Sequence, residues 1–113
     1  MGMDLLRRRD SLKWTCNNQL WIFILETAKK NGWVPLGVSY LNNSNKNDKF
    51  DYQIQNGQTV LPKDAMNMYE ALTKEMSSKK LVGIELEITQ SFVNWLVKKN
   101  SDGQNEFPGF IIN

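Results

Sequence analysis

The 113-residue sequence contains no histidine and only one cysteine, Cys16. Without histidine, a Ser-His, Cys-His or Asp-His arrangement for nucleophilic catalysis is excluded within one chain. A zinc site made of imidazole or several thiolates is excluded as well. Cys16 has no second cysteine to pair with, which fits a reducing compartment, and we expect it to be buried or incidental rather than reactive. The sequence therefore predicts no metal site, no cofactor and no catalytic residue.

Long apolar runs are also missing from the sequence. None approaches the roughly 18 residues that a membrane-spanning helix needs, and the arginine-rich N-terminus lacks the apolar segment of a signal peptide. We therefore expect a cytoplasmic protein with no membrane partner. A hydrophobic content of 41% and a charged content of 23% are ordinary for a globular protein of one domain. The net charge of +2 is too small to indicate a nucleic-acid partner by itself.

The densest apolar stretch covers residues 17–37 and predicts the first helix. Asparagines at its start can accept a hydrogen bond from an amide of the first turn, and one wide face of the stretch is apolar. Asn31-Gly32 then provides a C-cap, and Pro35 prevents the helix from restarting. These signals predict a helix over residues 18–31.

Two further helices and a small antiparallel sheet complete the predicted fold. Pro62 suits the first position of a helix, and apolar residues at helical spacing follow it. A third helical stripe begins at Thr89, and short segments of alternating apolar and polar residues predict strands. We predict a single α+β domain over residues 1–113, with helices near 18–31, 62–78 and 89–100 and strands near 3–8, 12–16, 50–55, 58–61 and 109–112.

Some features of this fold stay open. The alternation over residues 85–88 fits either a strand or the start of the third helix. Asn56-Gly57 favours a hairpin between the two central strands, or a lone turn that leads into the second helix. The C-terminal strand could pair with the N-terminal one. Residues 42–49, rich in asparagine, are predicted as a mobile surface loop.

Most of the clustered basic residues have a local structural explanation. Three lysine pairs fall at predicted helix ends, where cations stabilise the unpaired carbonyls; they are Lys29-Lys30, Lys79-Lys80 and Lys98-Lys99. Only the cluster of Arg7, Arg8 and Arg9 lacks such an explanation. It could contact phosphates, and the alternative is a solvated strand edge.

Three segments carry a resemblance. Asp4–Arg9 precedes a tryptophan-containing strand, Leu25–Ala28 continues into Asn31–Gly37, and Asn56–Val60 leads to Asp64-Ala65 and Ala71-Leu72. In these motifs the chain resembles a set of small bacterial proteins that carry no functional assignment. The motifs are turns and caps rather than chemistry. The resemblance implies a compact, helix-dominated bacterial domain and implies no activity.

The sequence predicts a small non-enzymatic interaction protein, regulatory or of the immunity type, whose partner is another protein. A homodimer is left open. Aromatic residues that we expect to be partly exposed support this prediction, because aromatic side chains are enriched in interface hot spots; they are Trp33, Tyr40, Phe50 and Trp95. The exit of the first helix, Trp33 to Gly37, is where we expect a partner to bind.

Two alternatives come from other functional classes. A nucleic-acid-binding accessory protein would use Arg7, Arg8 and Arg9, and its affinity would depend on salt. A more remote alternative is an enzyme that uses paired carboxylates, although no pair has a spacing that singles it out. Its candidate residues are Glu26, Asp64, Glu85, Glu87 and Glu106.

Overall fold

A computed structural model of the chain describes residues 2–36, 38–39, 52 and 57–112. The described elements are three helices and seven short strands, which confirms the predicted α+β class. In chain order they are β1 (Gly2–Arg7), β2 (Lys13–Asn17), α1 (Asn18–Lys30), β3 (Val38–Ser39), β4 (Gln58–Val60), α2 (Pro62–Ser77), α3 (Gly83–Leu96), β5 (Lys98–Lys99), β6 (Asn105–Glu106) and β7 (Phe110–Ile112).

Five of the strands form an antiparallel sheet in the order β2-β1-β7-β4-β3. The C-terminal strand β7 pairs with the N-terminal strand β1, as the sequence suggested. On its other side β7 pairs with β4, which in turn pairs with β3. The sequence did not predict β3, because a strand of two residues shows no recognisable alternation. The loop predicted over residues 42–49 and, apart from Tyr52, the strand predicted over 50–55 lie outside the described residues.

The strand register places the buried side chains on one face of this sheet. Leu5 lies opposite Trp14 on one side and opposite Ile112 on the other, and Ile112 lies opposite Gln58. All four are buried, whereas their chain neighbour Lys13 is exposed. Because successive residues of a strand point to opposite faces, this register delivers one continuous and largely apolar surface to the helices.

A cluster of aromatic rings joins the sheet to α1 and α3. Neighbouring ring centroids lie 5.0–6.3 Å apart in tilted or edge-to-face arrangements. The rings belong to Trp14, Trp21, Phe92, Trp95 and Phe110. Trp95 is 5% exposed, and its indole N–H donates to the carbonyl of Leu12 at 2.8 Å. The prediction that Trp95 is partly exposed is therefore wrong.

Helix α1 begins and ends where its capping residues predicted. The side chain of Asn17 accepts a hydrogen bond from the amide of Leu20 at 2.8 Å. At the other end, the amide of Trp33 donates to Ala28 at 3.0 Å, and Gly32 adopts a φ of +100°. This is the Schellman motif, in which a glycine in the left-handed region reverses the chain. The cap turns Trp33 back onto the helix that it has just left.

Helix α3 departs most from the prediction. It covers Gly83–Leu96 instead of residues 89–100. The alternation over residues 85–88 belongs to the helix, and the Thr89 hydroxyl donates back to the carbonyl of Glu85 at 2.7 Å. Beyond the helix, β5 and β6 form a hairpin whose turn is closed by Asn100. The turn-forming residues that seemed to end a helix thus connect two strands, and the lysines of β5 are not helix-end cations.

Arg7 supplies the cation that the end of α3 lacks. Its guanidinium donates to the carbonyls of Trp95 at 2.7 Å and Val97 at 3.2 Å. The last turn of α3 contains no basic residue, so Arg7 binds the unpaired carbonyls at the negative end of the helix dipole. The other guanidinium nitrogens bind the carboxylate of Asp10, and this hydrogen bond lowers the pKa of Asp10. Arg7 therefore ties the N-terminal strand to a helix that lies far along the chain.

We expect Arg7→Lys to lower the free energy of unfolding by about 2–3 kcal/mol, because an ammonium cannot bind a carboxylate and two carbonyls in the same fork. Urea unfolding at neutral pH measures this change. Arg8→Lys is the matched control: Arg8 is exposed, and we expect a change within about 0.5 kcal/mol. Equal unfolding curves for the two variants would show that the fork geometry of the Arg7 guanidinium adds nothing to stability.

Candidate binding groove

A groove of about 390 Å³ lies between the segment that follows α1 and one face of α2. The side chains of Val34 and Leu36 are 71% and 51% exposed and form an aliphatic rim on one side. The opposite wall comes from α2 and is mainly polar. The groove is lined by Asn31, Gly32, Trp33, Val34 and Leu36 on the first side and by Asn67, Glu70, Ala71 and Lys74 on the second.

Residues 33–36 form the rim segment of the groove, and Asp64 anchors this segment at both ends. This residue is fully buried in the first turn of α2. One carboxylate oxygen accepts the indole N–H of Trp33 at 2.7 Å, and the other accepts the hydroxyl of Tyr52. The backbone of Leu36 donates a further hydrogen bond to the same carboxylate. The rings of Trp33 and Tyr52 also pack edge to face at 5.4 Å. The rim of the groove is thus fixed by one acceptor group.

Burial sets the acidity of this carboxyl group. Removal from water raises the pKa of Asp64, and the hydrogen bonds from Tyr52 and Trp33 act in the opposite direction. A carboxyl group with a raised pKa holds its proton more tightly in the folded chain than in the unfolded one. Its ionisation therefore lowers stability as the pH rises from the unfolded value through the folded one.

Glu75 lies near the other end of α2, and its effect on the pH dependence of stability is opposite to that of Asp64. Its carboxylate accepts the side-chain amide of Asn31 at 3.0 Å and lies 3.2 Å from the ammonium of Lys30. The hydrogen bond from Asn31, helped by Lys30, lowers the pKa of Glu75. This contribution to stability is present above the unfolded pKa and is lost as the pH falls through the folded one. Glu75 thereby joins the end of α1 to α2 beside the groove.

The aromatic residues predicted to bind a partner occupy different environments. Trp33 is 3% exposed, so the expectation that it is partly exposed is wrong. The reason is the Schellman cap together with Asp64, which turn the indole inward beneath the rim. Tyr40 and Phe50 lie outside the described residues. The exposed side chains at the exit of α1 are aliphatic, not aromatic.

The three arginines of the predicted basic cluster do not form one surface. Arg7 is buried against the end of α3. Arg9 is exposed and pairs with Glu106 at 3.2 Å. Arg8 is exposed, and its side chain forms no ion pair or hydrogen bond with another described residue. The nucleic-acid alternative stays a prediction, but Arg7 offers it no free guanidinium.

The carboxylates proposed for catalysis are dispersed in the described structure. Asp64 is buried beneath the groove, whereas Glu106 pairs with Arg9 at the hairpin β5-β6. The remaining candidates are exposed on α1 and α3: Glu26, Glu85 and Glu87. The groove itself is lined by one carboxylate of the described residues, Glu70.

The sequence missed the acceptor at the centre of this arrangement. It indicated Asp64 as an acid favoured in the first turn of a helix. Trp33 lies 31 residues before Asp64, and Tyr52 lies 12 residues before it. No local pattern joins positions at such separations. The only hint was that a buried tryptophan N–H or tyrosine O–H group usually has a hydrogen-bond partner.

Comparison of the chain with protein-family models, with curated proteins and with solved structures finds no match. In the part of the chain that the structure describes, none of the helices has the length and apolar character of a bilayer span. Within the same residues, no three acidic or thiol side chains come together as a metal site would require.

We expect Asp64→Asn to raise the melting temperature at neutral pH, because it removes a buried charge while the amide can still accept from Trp33 and bond to the Tyr52 hydroxyl. The difference from the unmodified protein should shrink as the pH falls and Asp64 itself takes up a proton. Thermal unfolding followed by circular dichroism between pH 3 and 8 measures it.

The control is Glu75→Gln, whose carboxylate has a lowered pKa. This variant should melt at a lower temperature than the unmodified protein at neutral pH, and its difference should also shrink in acid. Opposite signs for the two substitutions at neutral pH are the expected result. A destabilised Asp64→Asn variant would show that the ionised carboxylate is required as an acceptor.

Proposed function

We propose that this protein is a non-enzymatic interaction module that binds an extended, aliphatic segment of another protein in the groove beside α2. The exposed rim of Val34 and Leu36 carries this proposal. Single exposed aliphatic side chains are ordinary on a protein surface. Two of them on the rim of a concave site, facing a few polar groups, have the character of a binding site.

The polar wall of the groove suits a peptide backbone. Each residue of an extended chain presents one donor and one acceptor. The side-chain amide of Asn67 offers both kinds of group, and it forms no hydrogen bond with another described residue. Glu70 and Lys74 follow one turn apart and place charges of opposite sign along the same wall. A bound segment could therefore form backbone hydrogen bonds with the side chains of α2 and pack an aliphatic side chain against Leu36.

The groove is also preorganised for binding. A loop that must be ordered on association costs binding free energy. Here the Schellman cap fixes one end of the rim segment, and Asp64 binds both the indole of Trp33 and the backbone of Leu36. Val34 and Leu36 are exposed because their neighbours are anchored, which favours recognition over a purely structural role.

The wider setting follows from the same proposal. A small domain that binds a segment of another protein fits a regulatory or immunity-type role, in which it blocks or recruits its partner. We place it in the bacterial cytoplasm, in line with the sequence resemblance and with a lone thiol. Burial raises the pKa of Cys16 to about 11, so this cysteine stays protonated and has the character of a packing residue.

Leu36→Asp tests the groove, and Leu12→Asp is a closely matched control because the two leucines are 51% and 50% exposed. Each biotinylated full-length protein is incubated with lysate of the native host, and captured proteins are identified by mass spectrometry. We expect one partner to be captured by the unmodified protein and by Leu12→Asp. Its dissociation constant from Leu36→Asp, measured with purified partner, should rise at least about tenfold, or about 1.4 kcal/mol.

Two outcomes would count against the groove. A partner that binds Leu36→Asp as tightly as the unmodified protein uses a different surface. A partner lost equally from both variants does not distinguish the groove from the region around Leu12, and the groove assignment would be withdrawn. Circular dichroism of each variant confirms that it has folded.

A further inference from the structure

The polar wall of the groove carries two charges that nothing in the described chain neutralises. Glu70 and Lys74 both line the groove and are exposed. Neither side chain forms an ion pair or a hydrogen bond with another described residue. The carboxylate of Glu75 on the same helix, by contrast, is buried and bound by Asn31 and Lys30. Glu70 and Lys74 are therefore the charges that a bound segment would meet.

The spacing of these two charges matches the repeat of an extended chain. Helix α2 contains both residues and rises about 1.5 Å per residue, so they lie about 6 Å apart along its axis. An extended chain returns its side chains to the same face every two residues, or about 6.7 Å. Two side chains at positions i and i+2 of a segment aligned with α2 can therefore reach Glu70 and Lys74 at the same time.

The opposite wall repeats with the same period. Val34 and Leu36 both line the groove, whereas Pro35 between them does not. The proline restricts Val34 to an extended conformation, and exposed aliphatic side chains alternate here with the buried Trp33 and the half-buried Pro35. A segment between the walls presents its residue i+1 to this side, because successive side chains of an extended chain point in opposite directions. That residue meets an aliphatic surface.

We propose that the groove selects an extended segment in which one aliphatic residue separates a basic residue from an acidic one. The basic side chain pairs with Glu70, the acidic one pairs with Lys74, and the aliphatic one packs against Leu36. Charge complementarity selects this occupant, because a segment with two like charges at this spacing would be repelled by one of the two wall residues. The inference rests on the function proposed for the groove and specifies the chemistry of its partner.

Peptide selection provides the test. A library of random heptapeptides displayed on phage is selected at low salt against the immobilised full-length protein. The unmodified protein should enrich peptides with one basic and one acidic residue two positions apart and an aliphatic residue between them. Glu70→Lys makes both charges of the wall positive, so this variant should enrich two acidic residues at the same spacing. Lys74→Glu makes both charges negative and should enrich two basic residues.

Each variant has a control with the same net charge. Glu87→Lys and Lys13→Glu change exposed residues that do not line the groove, and both should enrich the same peptides as the unmodified protein. The most enriched peptide of the unmodified protein is then synthesised. Its Kd for Glu70→Lys should rise at least about fivefold at low salt, because an attraction becomes a repulsion, and added salt should reduce this difference. Exchanging the basic residue of the peptide for an acidic one should restore binding, and a misfolded variant could not give that recovery.

The outcomes separate this inference from the proposed function. Peptides that lose binding to Leu36→Asp but show no charge pattern, or the same pattern on every variant, would overturn this inference and leave the groove in place. Peptides that bind Leu36→Asp as tightly as the unmodified protein would overturn both, and so would a selection that enriches no peptide. A pattern that changes equally with the control variants would assign the effect to net charge and overturn the inference as well.

Discussion

The loop that leaves α1 depends on the carboxylate of Asp64. A buried charge is stable only when donors surround it, and here they come from two aromatic side chains and from the backbone of Leu36. Remove this acceptor, and the indole N–H of Trp33 would be buried without a partner, at a cost of about 1–3 kcal/mol. The burial of Trp33, the exposure of the rim and the shape of the groove follow from this one group.

Arg7 is a second buried polar side chain that joins distant parts of the chain. It bonds to Trp95 across 88 residues of sequence and occupies the carbonyl end of α3. In the described residues, every buried side-chain nitrogen and oxygen has a hydrogen-bond partner. Polar groups in this core therefore specify which distant elements meet, while the apolar surface of the sheet and helices supplies most of the driving force.

Local signals in the sequence determined much of the fold. The Asn17 cap, the Gly32 C-cap and Pro62 placed α1 and α2 to within a residue, because capping acts within a few positions of the chain. Alternation likewise indicated the N-terminal strands, and a short apolar run indicated the C-terminal one. The sequence misplaced α3, since Asn100 and its neighbours carry turn chemistry that serves a hairpin as well as a helix end.

Only the tertiary structure decided the candidate sites. Whether Trp33 is displayed or buried depends on an acceptor 31 residues away, and whether Arg7 meets solvent or a helix end depends on one 88 residues away. Composition and periodicity report the neighbours of a residue along the chain. The partners of a buried polar group are fixed by packing, and packing brought Leu36 to the surface and Trp33 beneath it.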